Sequence, residues 1–151
     1  MASSRRARVQ RVAEVPESPF ATRRLLLDTH VWLWWQADDR RLGALARHAI
    51  RTATEVWFSA ASAWEIAIKA SLGKLTLPRG ADIESALALD GFRPLPVAIT
   101  HAEAVRTLRV LHRDPFDRML VAQARCEGLT ILTADSRLAE YDVPLLSATE
   151  N

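Results

Sequence analysis

The chain predicts an α/β domain, a parallel β-sheet with helices on both faces, and three observations carry that expectation. Short apolar runs alternate with segments of helical period from residue 24 to residue 147. Such βαβα alternation favours parallel strands joined by helical crossovers. The runs are continuously apolar and too short for helices, as strands covered on both faces are. Two of them lead into an aspartate, Asp28 directly after "RLLL" and Asp135 two residues past "LTILT". Open parallel sheets bind ligands beyond the carboxyl ends of their strands.

The elements follow in order. Residues 1–23 have no sustained period and hold Ser3, Ser4, Pro16, Ser18 and Pro19, so they read as a flexible basic leader to a domain spanning 24–151. "RLLLD" (24–28) is the first strand, "THVWLWWQ" a short helix, and "LGALARHAIRTA" (42–53) a second. "VWFS" (56–59) is a strand, and Ser59 can cap the helix "AASAWEIAIKASL" that Gly73 ends. After "LTLP", a small helix covers 82–90 and closes at Gly91; "FRPLPV" (92–97) is extended. "THAEAVRTLRVL" opens with Thr100 and Glu103 in capping-box spacing and predicts a helix over 100–111, with Val105, Leu108 and Leu111 on one face. A helix capped by Asp114 follows to Glu127 and contains Cys126, with Gly128 beyond its end. "LTILT" (129–133) is a strand, "DSRLAEY" a short helix, and "VPLLS" (143–147) the last strand.

The formal charge of +2 hides two opposite regions. Residues 1–24 carry six arginines against Glu14 and Glu17, a net of +4, which leaves −2 for the body. A compact nucleic-acid binder that relied on phosphate neutralisation alone would show the reverse. An acidic body that meets RNA or DNA needs a device to mask its own charge, and a divalent cation is one. One cysteine excludes a disulfide framework and fits a reducing compartment. The longest apolar run, "VWLWW" (31–35), is far short of a membrane span, and the amino terminus does not read as a signal peptide. The expected location is the cytoplasm.

Four acids occupy equivalent places. Asp28 and Asp135 lie at strand ends, Glu65 on the helix after "VWFS", and Asp117 in the first turn of the helix before "LTILT". Each also has a plain structural reading. Asp28 and Asp135 can cap the helices after them. Glu65 stands four residues before Lys69, though its apolar neighbours Trp64, Ile66 and Ile68 are an odd setting for an exposed ion pair. With Asp114 as N-cap and Pro115 at N1, Asp117 falls at N3, where an acid suits the helix dipole. Jointly they say more, because two charges about 5 Å apart repel by roughly 3 kcal/mol at an effective dielectric near 20. A crevice holding four carboxylates therefore holds protons or a cation. Mg²⁺ or Mn²⁺ suits an all-carboxylate site, and no His/Cys zinc spacing, Walker loop or G-x-S-x-G elbow is present.

"LLLDTHVWLW", "SAASAWEIAIKASLGKLTLP", "RDPFDRMLVAQA" and "LTADSRL" resemble, in order and spacing, the motif blocks of PIN-domain nucleases, specifically the VapC toxins of type II toxin–antitoxin systems. The resemblance spans residues 24 to about 147; the leader has no counterpart in it. It implies a PIN fold and a Mg²⁺-dependent endoribonuclease, with Asp28, Glu65, Asp117 and Asp135 as catalytic metal-binding acids and Asp114 as an auxiliary acid. It also implies an RNA substrate, a VapB-like antitoxin and a homodimer. Thr29 and Ser136, each following a proposed ligand, can orient metal-bound waters or simply start helices.

Other residues have a second reading. Trp32, Leu33, Trp34 and Trp35 leave their helix apolar all round, which predicts a face for a partner. Lys69, Lys74 and Arg79 can contact RNA phosphates or form a solvated face. His30 and His112 flank proposed ligands but are read as structural. Two rivals stand beside the nuclease: a PIN module that binds RNA or protein without cutting, and a phosphoryl-transfer receiver or phosphatase. A receiver needs a lysine after a later strand, and none follows Lys74.

Overall fold

The computed structural model describes residues 23–77 and 82–151; residues 1–22 of the expected leader, and Arg79, lie outside the described residues. Arg23 belongs to the fold, since its carbonyl accepts both the backbone N–H and the hydroxyl of Thr54 at 2.9 Å. In chain order the elements are β1 (Arg24–Leu27), α1 (Thr29–Ala37), α2 (Ala44–Thr52), β2 (Glu55–Ser59), α3 (Ala60–Ser71) and α4 (Ile83–Asp90). There follow β3 (Arg93–Leu95), α5 (Ile99–Ala104) with a 3-10 turn at Val105–Thr107, α6 (Pro115–Glu127), β4 (Thr130–Thr133), a 3-10 helix at Ser136–Glu140, and β5 (Leu145–Ser147).

The five strands form one sheet in the order β3-β2-β1-β4-β5, every pair parallel. Side-chain alternation along β1 divides the core. Leu25 and Leu27 pack with Val31, Trp32, Ala46, Ile50 and Phe58 on one face. Leu26 packs with Leu120, Val121, Ala124, Ile131 and Leu138 on the other. The continuous apolar runs are thus explained, because both faces are covered. The chain order reverses at β1, whose neighbours are β2 and β4, and this is a topological switch point.

The helix expected over 100–111 is shorter. It starts at Ile99 with Ala98 as its cap, and His101 Nδ1 accepts the Ala98 N–H at 2.9 Å in place of the expected Thr100–Glu103 box. It ends by Thr107, and Arg118 of α6 donates to the Val105 carbonyl at 3.3 Å, which a longer helix would have used, and to the Arg109 and His112 carbonyls beyond it at 2.9 and 3.4 Å. Leu108 is buried as expected, but Leu111 is exposed. The domain covers part of the tryptophan run, burying Trp32 and leaving Leu33, Trp34 and Trp35 half-buried. Trp32 stacks on Phe58 at 4.8 Å between ring centroids and Trp35 on Phe92 at 5.8 Å, while Leu33 and Trp34 pack at the edge of the core. The short helix expected after Asp135 is a 3-10 helix. Gly43 marks a close approach, since a Cβ there would stand 2.1 Å from the Glu150 carbonyl oxygen. The last residues close on α2, where Asn151 Oδ1 accepts the Ala44 N–H at 3.1 Å.

Candidate metal centre

The carboxyl ends of β1 and β4 lie side by side, and the chain binds them together. The Asp28 N–H donates to the Leu132 carbonyl at 3.0 Å, and the Thr133 hydroxyl donates to Asp28 Oδ2 at 2.7 Å. That hydroxyl also accepts the Asp135 N–H at 3.0 Å, so one side chain aligns both strand-end aspartates. Asp28 Oδ1 accepts the Thr29 N–H at 2.7 Å, which confirms its capping role.

Two helices bring the other acids. Ser59 caps α3 by accepting the Ala61 N–H at 3.0 Å, and the helix then carries Glu65 inward to a buried position. Glu65 Oε1 accepts the Thr29 hydroxyl at 2.7 Å, and Oε2 pairs with Lys69 at 2.8 Å. Thr29 is thereby committed to Glu65, with Ser62 Oγ also 2.9 Å away. On α6, Asp114 Oδ1 accepts the N–H groups of Phe116 and Asp117 at 2.8 and 3.3 Å, with Pro115 at the first helical position. That cap aims Asp117, one turn in, across the sheet ends.

All five acids, Asp28, Glu65, Asp114, Asp117 and Asp135, line one open cavity of about 480 Å³, together with His30, Trp34, Arg41, Lys69 and Arg137. Two of these acids are met from outside the lining by a residue that the sequence reading set aside. His112 Nε2 lies 2.7 Å from Asp117 Oδ2 and 3.7 Å from Asp135 Oδ2. His112, Asp117 and Asp135 offer ligand atoms within 4.8 Å of one another. Ser136 and Lys74 do not line the cavity.

The charges show what the site lacks. Glu65, Asp117 and Asp135 each meet a basic side chain, Lys69, His112 and Arg137. Among the described residues, Asp28 is hydrogen-bonded only by the neutral donors Thr29 and Thr133. Burial pushes its pKa above the usual carboxylate range, against the pull of Thr133, Thr29 and His30. Burial and the neighbouring Asp28 and Asp114 charges push Asp117 up from 3.8 to about 6, with His112 only partly offsetting them. Asp135 moves the other way, because the Arg137 fork favours its charged form. A buried carboxylate facing other carboxylates is stabilised by a proton or a cation. The donors are nearly all hard oxygens, so the residues fit Mg²⁺ or Mn²⁺.

Residues 25–144 match the PIN domain family. The chain belongs to that family. As a PIN domain it is 32% identical over 123 residues to ribonuclease VapC22 of Mycobacterium tuberculosis, covering 80% of this chain and 93% of that one. Solved structures share its fold. A chain of DNA-bound VapBC from Salmonella typhimurium superposes with a TM-score of 0.64 at 15% identity, over 83% of this chain and 98% of that one. A chain of Rickettsia felis VapBC2 bound to a promoter DNA fragment gives 0.62 at 11% identity, over 82% and 97%.

Sequence reasoning picked out the acids that line this cavity but missed most of the basic residues beside them. His112 sits two residues before Asp114, and that nearness was its only signal. Arg41 and Arg137 each follow an aspartate by two residues, Asp39 and Asp135, a repeat visible in the sequence once the pairing is known.

Proposed function

We propose that this PIN domain is a divalent-metal-dependent endoribonuclease, the toxin of a type II toxin–antitoxin module, working in the cytoplasm. One observation carries the reading: five carboxylates from separate parts of the chain converge on one open cavity at the sheet's switch point, with cationic side chains at its rim. Asp28, Glu65, Asp117 and Asp135 would hold Mg²⁺ or Mn²⁺, with Asp114 as auxiliary acid and cap. A divalent ion there polarises the scissile phosphate and lowers the pKa of an attacking water.

The remaining work falls to the chain's own groups. Thr133 sets Asp28 and Asp135 in register, and Thr29 fixes the Glu65 carboxylate. His112 orients Asp117 through a 2.7 Å contact and stands 3.7 Å from Asp135. Lys69, Arg41 and Arg137 supply positive charge at the rim, which draws an RNA phosphodiester toward an otherwise acidic body. The likeness to a relative named a ribonuclease supports the RNA substrate, and the VapBC complexes among its structural neighbours support a VapB-like antitoxin. A second copy of the chain is the other expected partner. Trp64, 65% exposed and edge-on to Phe116 at 5.5 Å, gives α3 and α6 a shared apolar surface for such contacts. Among the described residues no helix is long and apolar enough to cross a membrane.

The test is RNA cleavage by the purified chain. Cleavage is expected with Mg²⁺ or Mn²⁺, and none in EDTA or with Asp28→Asn. Undiminished cleavage in EDTA overturns the mechanism.

A further inference from the structure

The rim of the cavity carries two arginines held in the same way. The Arg41 backbone N–H and Nε reach Asp39 Oδ1 at 2.9 and 3.1 Å, and Nη2 reaches Oδ2 at 2.7 Å. Arg137 meets Asp135 at 3.0, 3.0 and 2.8 Å through the same three groups. Only Arg41 is also stacked. Its Cζ lies 5.0 Å from the ring centre of Trp34, an indole that lines the cavity itself.

The Arg41 brace is independent of the acids that would hold an ion, because Asp39 does not line the cavity. Asp39 is in turn anchored by Arg47, which donates to the Asp39 carbonyl at 2.6 Å and to the Leu42 carbonyl at 3.0 Å. A long side chain normally loses rotamer freedom when it meets a ligand; this one has already lost much of it. The guanidinium carbon lies over the Trp34 ring and one edge meets Asp39, yet the Arg41 side chain is 67% exposed. The guanidinium therefore keeps open surface at the lip of the cavity, where the proposed site receives a phosphodiester.

We propose that Trp34 and Arg41 form a nucleobase-stacking subsite for the RNA nucleotide next to the scissile phosphate, with the open guanidinium face as the platform. The proposal rests on the ribonuclease reading and extends it to substrate form. Planar cations and aromatic rings stack bases of unpaired RNA, and every base has a π-face, so the subsite selects single-stranded over paired RNA rather than one sequence. Charge alone does not require this arrangement, since Lys69 and Arg137 already place charge at the rim.

The test measures anisotropy of a short fluorescein-labelled single-stranded RNA with the full-length chain, on an Asp117→Asn background in EDTA so that no strand is cut. Arg41→Lys keeps the charge but has no plane to stack. It is expected to bind about tenfold more weakly than its parent, and Arg41→Ala at least as weakly. Melting temperatures are expected to stay level, because Arg41 is exposed. Removing the base beside the cleavage point is expected to weaken the parent about tenfold and Arg41→Lys hardly at all. Unchanged affinity for Arg41→Lys, or a tenfold loss that persists on the abasic RNA, overturns the subsite. If the unsubstituted chain cleaves RNA with Mg²⁺ while Arg41→Lys binds normally, only the subsite falls. If that chain neither cuts nor binds RNA, the ribonuclease reading falls and takes the subsite with it.

Discussion

Asp39 with Arg41 and Asp135 with Arg137 are one local structure built twice on the same rim, each an aspartate gripping the arginine two residues later through a backbone N–H and a guanidinium fork. In both, the arginine pulls the carboxyl below its usual range, Asp39 to about 2. The surroundings differ. Asp39 lies outside the cavity lining, with Arg47 donating to its carbonyl, and its arginine lies over an indole. Asp135 stands at the end of β4 with His112 and Asp117 beside it. Local sequence sets the geometry of the pair, and position relative to the switch point decides whether the carboxylate is a brace or a proposed ligand.

The sharpest way to break this comparison is to neutralise both aspartates in turn. Asp135→Asn is expected to lower cleavage at least about 100-fold and to weaken Mn²⁺ binding, as loss of a metal ligand should. Asp39→Asn is expected to leave Mn²⁺ affinity within about twofold by calorimetry, because the residue lies outside the cavity. Equal losses in Mn²⁺ affinity would dissolve the distinction.

Acid titration separates Asp135 from its neighbour Asp117. A carboxyl raised to about 6 is still protonated in the metal-free native state where the unfolded chain, near 3.8, is charged. Native stability therefore falls as pH rises between those values, by a ceiling of about 3 kcal/mol that solvent screening in an open cavity reduces. Asp135, with its lowered pKa, stabilises the fold above the ordinary carboxylate range and loses that contribution as pH falls through its folded value. Melts in EDTA should show Asp117→Asn more stable than the parent at pH 7 and nearly equal to it at pH 4. A loss of stability at pH 7 contradicts the assignment.

A smaller effect distinguishes the arginines. Arg137→Gln removes the side chain that competes with a cation for Asp135, so Mn²⁺ affinity should rise about threefold. Arg41→Gln should leave it unchanged, and a rise in both variants would make the effect one of net charge. The smallest change belongs to the helix cap. Asp114→Ala should cost about 1 kcal/mol in denaturant unfolding and Asp114→Asn a few tenths, because Asn accepts the same N–H bonds. An Asp114→Asn variant as damaged as the Ala would show that its charge, not its cap, matters most.

The order of strands and helices was legible because period and punctuation are local properties. So was the division of labour between Asp114 and Asp117, since D-P-x-D places the first at the cap and the second one turn inside. What escaped was decided by residues far apart. The helix expected over 100–111 looks regular in sequence, and the contacts that Arg118 makes with its far end come from α6, remote in the chain. His112 lies in the loop between that helix and α6. The tryptophan run suggested a free face because its covering partners, Phe58, Phe92 and Arg41, lie elsewhere in the chain.

The hydrogen bond from Thr133 to Asp28 joins residues 105 positions apart, and this bears on how the protein is made. Synthesis runs from the amino terminus, so β1 and β2 can pair while β4 is still untranslated. Non-local pairings of this kind form late. Asp28, Glu65 and Asp117 are then present on a growing chain that has neither Thr133 to align the first nor Asp135 to complete the set. On the proposed site, a growing chain that still lacks β4 is expected not to cut RNA. Ribosome-bound chains stalled before Thr130 are expected to be inactive, and cleavage by them would show that the site does not need β4.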